Sequence, residues 1–180
     1  KEQLVADKLC EVVRANNHFL DFGLLGSKSV PAMLTRYGYV EDAMKMITKT
    51  EAPSWGYWVE TMGYTTLPET WTLSPQFRDA SLNHVFMGDV SAWMMNQLAG
   101  INYDAAGPGF RHILITPHFV EGMDWAKGAY HSVRGLISSQ WKREGGKVTL
   151  TVTIPSGCTA DIRVGDKTET VGSGTYVNTY

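Results

Sequence analysis

The sequence predicts an α+β protein in two parts, a helical half followed by an antiparallel β-sandwich, and three observations carry that expectation. Apolar residues recur at helical spacing up to about residue 100, and from about Gly107 onward the spacing becomes two. A Gly107-Pro108-Gly109 joint stands where the period changes. Helices and strands segregated in this way imply two domains, 1–106 and 107–180.

In the helical half, Lys1 to Asn17 reads as a helix already under way, with Val5, Leu9, Val12 and Val13 as its apolar stripe. It shows neither an initiator Met nor a signal peptide, which points to a boundary inside a longer polypeptide. A second helix is expected after Ser27 or Ser29, with Pro31 in its first turn, where a missing N–H costs little. Its apolar face is Val30, Met33, Leu34 and Tyr37, and Gly38 ends it. A third runs from about Val40 to Thr48 on Val40, Ala43, Met44 and Ile47. The strongest pattern is Ser81 to Leu98, on Leu82, Phe86, Val90 and Trp93, stopped by Gly100. Between the last two lies Glu51 to Ala80, a segment rich in Trp, Gly, Tyr and Pro, with a short helix near Trp58 to Met62. Loops of that length inside a compact domain are usually functional or disordered, and the aromatics argue against disorder. Periodicity alone fits a small bundle as well as part of a toroid of helix pairs.

In the β half, Lys147 to Ile154 alternates without a fault, placing Val148, Leu150, Val152 and Ile154 on one face behind a Gly145-Gly146 hairpin signal. Further strands fit Arg111–Thr116, Gly128–Ser132, Gly135–Arg143, Thr159–Val164 and Thr168–Val171.

Composition narrows the partners. The 180 residues are 43% hydrophobic and 19% charged with a net charge of −2, a globular balance without a basic, aromatic-interleaved patch. Nucleic acid is not an expected partner, and no apolar run approaches a membrane span. Cys10 and Cys158 read as buried thiols. His112 and His118 flank a strand, but no third ligand has metal spacing, so neither metal nor cofactor is expected.

Glycoside hydrolysis needs two carboxyl groups about the scissile bond. The candidate is Glu69, in Thr65-Thr66-Leu67-Pro68-Glu69-Thr70-Trp71, where a neighbouring indole would desolvate it toward the pKa of a useful base. The plainer alternative is a surface glutamate capping the next segment. His84, in Ser81-Leu82-Asn83-His84, stands ready to hydrogen-bond a hydroxyl, or is satisfied by local backbone. Trp125, Tyr130 and Trp141 offer aromatic surface to a sugar in the β half, although such residues more often anchor a sandwich to its neighbour.

These runs, with Pro53-Ser54-Trp55-Gly56-Tyr57, Ala99-Gly100-Ile101, Pro108-Gly109-Phe110-Arg111-His112-Ile113, Trp125-Ala126-Lys127-Gly128 and Gly135 to Trp141, occur in an order and spacing that resemble the α-L-rhamnosidase family, glycoside hydrolase family 78. The resemblance covers essentially the whole chain. It implies the C-terminal part of an (α/α)6 barrel followed by a β-sandwich, and inverting hydrolysis of terminal α-L-rhamnosides. It casts Glu69 as the general base and Trp55, Trp71 and His84 as lining of the sugar pocket. The partners it implies are a rhamnose-containing glycoside or polysaccharide and the preceding part of the same enzyme; the apolar face of a half barrel would favour self-association. Pro68 departs from the Trp usual before the base, the stretch from Trp71 to Asn83 is short, and the family's acidic motif bearing the general acid is absent from these 180 residues. Alternatives are another sugar specificity on the same barrel, or a non-catalytic sugar-binding or structural homologue.

Overall fold

The computed structural model describes residues 1–71 and 80–180. The chain divides into two compact units, Lys1–Trp93 and Met94–Tyr180.

The first unit is helical. Helix α1 spans Glu2–Ala15, α2 Leu24–Arg36 and α3 Val40–Thr48. The face that α1 buries is Ala6, Cys10 and Val13; Leu4, Val5 and Val12 stay exposed, so the stripe read from the sequence is rotated by one residue. The small side chains let α1 come close to the charged residue that α3 buries. Asp42, 4% exposed, accepts two hydrogen bonds from the Arg14 guanidinium at 2.8 Å each and bonds the His18 imidazole at 2.9 Å. A buried carboxylate persists only where it is paired and hydrogen-bonded in this way. Arg14 holds its carboxyl well below the usual carboxylate range, and burial, followed by Asp42, pushes the Cys10 thiol up to about 11.

Helix α2 begins earlier than the sequence suggested, with Gly23 as N-cap, so Pro31 stands mid-helix and buried instead of in the first turn. A proline there has no N–H for the Ser27 carbonyl. Polar side chains bond the backbone on either side of it. Ser27 Oγ donates to the Leu24 carbonyl, and Thr35 Oγ1 donates to the Pro31 carbonyl at 2.9 Å while accepting the Trp93 indole N–H at 2.9 Å. The exit follows the sequence: Gly38, at φ +91°, gives its N–H to Thr35, and Tyr39 gives its own to Leu34 at 2.8 Å. Helix α3 has the expected bounds and buries Asp42, Ala43, Met46 and Ile47.

The helix expected from Ser81 is shorter. Residues 85–88 are a turn and α4 occupies only Asp89–Trp93; Leu82 and Phe86 are exposed, whereas Met87, Val90 and Trp93 are buried.

The second unit starts with a π-helical turn, Met94–Leu98, and continues into eight strands: β1 Ile101–Tyr103, β2 His112–Ile115, β3 Trp125–Ser132, β4 Gly135–Glu144, β5 Lys147–Ile154, β6 Thr159–Val164, β7 Lys167–Val171 and β8 Gly174–Thr179. They form two four-stranded sheets, ordered β1-β2-β6-β7 and β3-β4-β5-β8. Every pairing is antiparallel except β2 with β6, which is parallel. The alternation read in Lys147–Ile154 is what β5 buries: Val148, Leu150, Val152 and Ile154 are all at most 5% exposed. Gly100, at φ +79°, lets the chain turn into β1 so close to Pro117 that an added Cβ would sit 2.2 Å from the proline nitrogen. Cys10 and Cys158 are both free and buried.

Candidate active site

The aromatic segment of the first unit is built on the run Ser54-Trp55-Gly56. The Ser54 hydroxyl, fully buried, accepts the Tyr57 N–H at 2.9 Å and donates to the Lys49 carbonyl, tying the segment to the end of α3. Gly56 lies so near that a Cβ would stand 2.6 Å from the Lys49 oxygen. Any side chain there would push the segment off α3. The chain then makes a π-helical turn, Tyr57–Thr61, closed by Met62 N–H to the Tyr57 carbonyl at 2.9 Å, a feature frequent at functional sites.

That turn directs Trp58 inward. Its ring stacks on Trp71 at 4.6 Å between centroids, and Trp55 meets Trp71 edge-on at 5.0 Å. Phe22 presents an edge to Trp71 at 6.0 Å, and its carbonyl accepts the Trp71 indole N–H at 2.5 Å. Phe22 fits because Gly26 leaves room: a Cβ on Gly26 would lie 2.5 Å from the Phe22 Cβ. Trp55, 3% exposed, is anchored by its indole N–H to the Met87 carbonyl at 3.0 Å. It is a buried support, while Trp71 is half-buried.

Glu69 stands two residues before Trp71, on a strip bridged to the strip that carries His84. Glu69 N–H bonds the Ser81 carbonyl and His84 N–H bonds the Leu67 carbonyl, both at 2.8 Å. Thr66 Oγ1 adds a bond to the Leu82 carbonyl at 2.7 Å. One Glu69 carboxylate oxygen, Oε2, accepts the Ser81 N–H at 3.0 Å, which fixes the carboxylate's direction. The His84 ring is held by Phe86 N–H onto Nδ1 at 3.3 Å and by the Phe86 ring edge-on at 5.3 Å. Pro68 is buried between these bonds and, lacking an N–H, takes no donor role in the bridge.

The four residues singled out in the sequence therefore occupy two linked features: Glu69 and His84 on the bridged strips, Trp55 and Trp71 in the ring cluster. Trp58 and Phe22 belong to the same cluster and carried no separate signal. Trp58 was one aromatic among several, and Phe22 falls where no periodicity marks a helix. Two hollows flank the strips, one of about 270 Å³ along Tyr64, Thr66, Pro68 and Leu82, the other of about 360 Å³ between Leu24, Leu25, Lys28, Val85, Phe86 and Asp89. The short stretch between Trp71 and Asn83 includes residues 72–79, which lie outside the described residues.

In the second unit, His112 is committed to its neighbours. Nδ1 bonds Thr159 Oγ1 at 2.7 Å, and Nε2 lies 3.5 Å from Asp161. Burial holds His118 below the ordinary histidine range, which favours the neutral ring.

Comparison with known proteins gives one family for both units. The model described as the bacterial alpha-L-rhamnosidase 6 hairpin glycosidase domain matches residues 1–98, and that of the bacterial alpha-L-rhamnosidase C-terminal domain matches residues 100–177. An alpha-L-rhamnosidase of Streptomyces avermitilis is 31% identical over 163 residues, covering 87% of this chain and 16% of its own length. One from an Alteromonas species is 26% identical over 161 residues, 86% of this chain and 17% of its own. Among solved structures, the Streptomyces avermitilis enzyme complexed with L-rhamnose superposes with a TM-score of 0.88 at 27% identity, over 99% of this chain and 20% of that one. The native enzyme of Aspergillus terreus does so with a TM-score of 0.90 at 26% identity, over 98% and 21%.

Proposed function

Because this chain belongs to the bacterial α-L-rhamnosidase family and matches the C-terminal part of enzymes roughly five to six times its length, we propose that it supplies the water-activating half of an inverting rhamnosidase site. In this reading Glu69 is the general base, Trp71 and His84 line the pocket for a terminal α-L-rhamnosyl unit, and Trp55, buried, supports Trp71 from behind instead of touching the sugar. The general acid and the remaining helices of an (α/α)6 toroid come from polypeptide outside these 180 residues. The helical part of that toroid ends at about Leu98, short of residue 106, because Ile101–Tyr103 already pairs as a strand of the second unit.

The observation that carries this reading is the bridge between the two strips. It fixes the Glu69 carboxylate, two residues before Trp71 of the ring cluster, through Ser81 N–H and brings the His84 segment alongside. A base must be held in one direction if the water it activates is to attack from one side. Inversion requires the two carboxyl groups to stand roughly 6.5–9.5 Å apart, leaving room for that water beneath the anomeric carbon. The ring cluster suits a 6-deoxy sugar: aromatic surface accepts the methyl, and a ring nitrogen or carboxylate takes the hydroxyls. Removing general-base help costs typically 10²–10⁴-fold in rate.

The test is Glu69→Gln in a polypeptide that contains both this chain and the preceding barrel. With an aryl α-L-rhamnoside the expected loss in kcat is at least about 100-fold, with rhamnose binding retained and the parent's first-formed product being the inverted anomer. Unchanged turnover would remove Glu69 from the mechanism. The isolated 180-residue chain is expected to show no turnover, since the acidic motif that bears the family's general acid is absent from its sequence.

A further inference from the structure

The β half offers three aromatic candidates for sugar contact, and the structure separates them. Trp141 is 2% exposed, gives its indole N–H to the Leu98 carbonyl at 2.8 Å and meets the Phe119 ring at 5.2 Å, so it is core. Tyr130 lies against Phe110 at 5.1 Å. Trp125 is 63% exposed and, among the described residues, makes no ring–ring or cation–π contact.

Its surroundings are not those of a stray surface aromatic. Strand pairing places Trp125 opposite Lys142 and Lys127 opposite Gln140; Lys142 then faces Thr149, and Gln140 faces Thr151. These six side chains, with that of Glu144, line one hollow of about 410 Å³ on the outer face of the sheet. Three adjacent strands give it a floor about 10 Å across. One open indole within a field of amide, hydroxyl, ammonium and ion-paired carboxylate groups is the combination that a pyranose requires. The ring receives the C–H face, and the polar groups receive the hydroxyls around its edge. A protein partner is less well served, because interface cores are depleted in lysine and this hollow holds two.

Charge refines the ligand. Lys142 is ion-paired with Glu144 along the same strand. Lys127 has no ion pair among the described residues, so the hollow keeps one unneutralised cation beside the ring. We propose that the Trp125 hollow is a second carbohydrate-binding site, taking an oligosaccharide that stacks one ring on Trp125 and sets an acidic substituent on Lys127. This proposal does not rest on the role of Glu69.

The experiment is affinity electrophoresis and calorimetry of the chain carrying Glu69→Gln, so that binding is read without any contribution from the proposed base. The probes are polygalacturonate as the carboxylate arm, dextran sulfate as the sulfate arm and dextran as the neutral control. Retention on an acidic polymer should exceed that on dextran and weaken as salt rises. Trp125→Ala should weaken binding at least tenfold with an unchanged melting temperature, because its side chain is exposed. Lys127→Gln should remove most of the salt dependence while leaving the sheet intact. No retention on either acidic polymer, or equal retention by Trp125→Ala, overturns the site. Equal retention on dextran, or an unaltered salt dependence in Lys127→Gln, overturns the acidic ligand.

Discussion

Asp42 shows how a single side chain sets the packing of the first unit, since the carboxylate is buried and its hydrogen-bond partners reach it from the end of α1 and from the residues just beyond. Its pKa is depressed in the folded state, so its contribution is complete above the unfolded value of about 3.9 and is lost as pH falls through the folded value. Asp42→Asn is expected to cost about 2 kcal/mol at pH 7 and to flatten the acid limb of stability below about pH 4. Urea unfolding at pH 7 and pH 3 measures both; a mutant midpoint equal to the parent's at pH 7 would refute the clamp. At this scale the candidate site was partly legible in the sequence. Glu69 and His84 stood out because a carboxylate and an imidazole carry chemistry wherever they fall. Trp58 and Phe22 did not, because an aromatic declares its role only through the rings it meets.

At the scale of elements, the strands were read more accurately than the helices. A period of two admits one buried face, and β5 buries the set that alternation selects. Strands β1 and β8 were missed because one is three residues long and the other exposes nearly its whole length. In α1, the pairs Leu4-Val5 and Val12-Val13 support two stripes one residue apart, and the choice fell to the smaller Ala6 and Cys10. In α2 the proline misled, because Ser27 and Thr35 bond the backbone around it within the helix. Residues 81–84 kept a helical pattern, yet their backbone groups are engaged by residues 66–69, so helix forms only from Asp89. Glycine gives a sharper test of element geometry. Gly100 and Gly122 share a φ near +79° (+79° and +78°), but only at Gly100 would a Cβ strike backbone; nothing lies within 4 Å of one at Gly122. Gly122→Ala should cost about 1 kcal/mol, and Gly100→Ala at least about 3 kcal/mol, in thermal melts of the two variants. Equal losses would mean that the Pro117 contact is soft.

For the whole molecule, the informative surface is apolar. Val5 and Val12 share one face of α1 with Leu4 beside them, and Leu25 and Val85 are 81% and 79% exposed. Apolar groups left in water on α1, on α2 and on the turn before α4, in a family built as six hairpins, are consistent with a surface that further helices cover. The isolated chain is therefore expected to self-associate in sedimentation velocity and to bind a hydrophobic dye, and a co-expressed preceding segment should suppress both. A monodisperse, dye-silent monomer would count against the proposed half toroid. The bridge between the strips has a different consequence. Because Glu69 and Ser81 are clasped by two hydrogen bonds, the two strips of the candidate site are joined at one fixed point. The aim of the carboxylate then depends on a main-chain N–H, so substitutions at Ser81 that keep that N–H leave it in place.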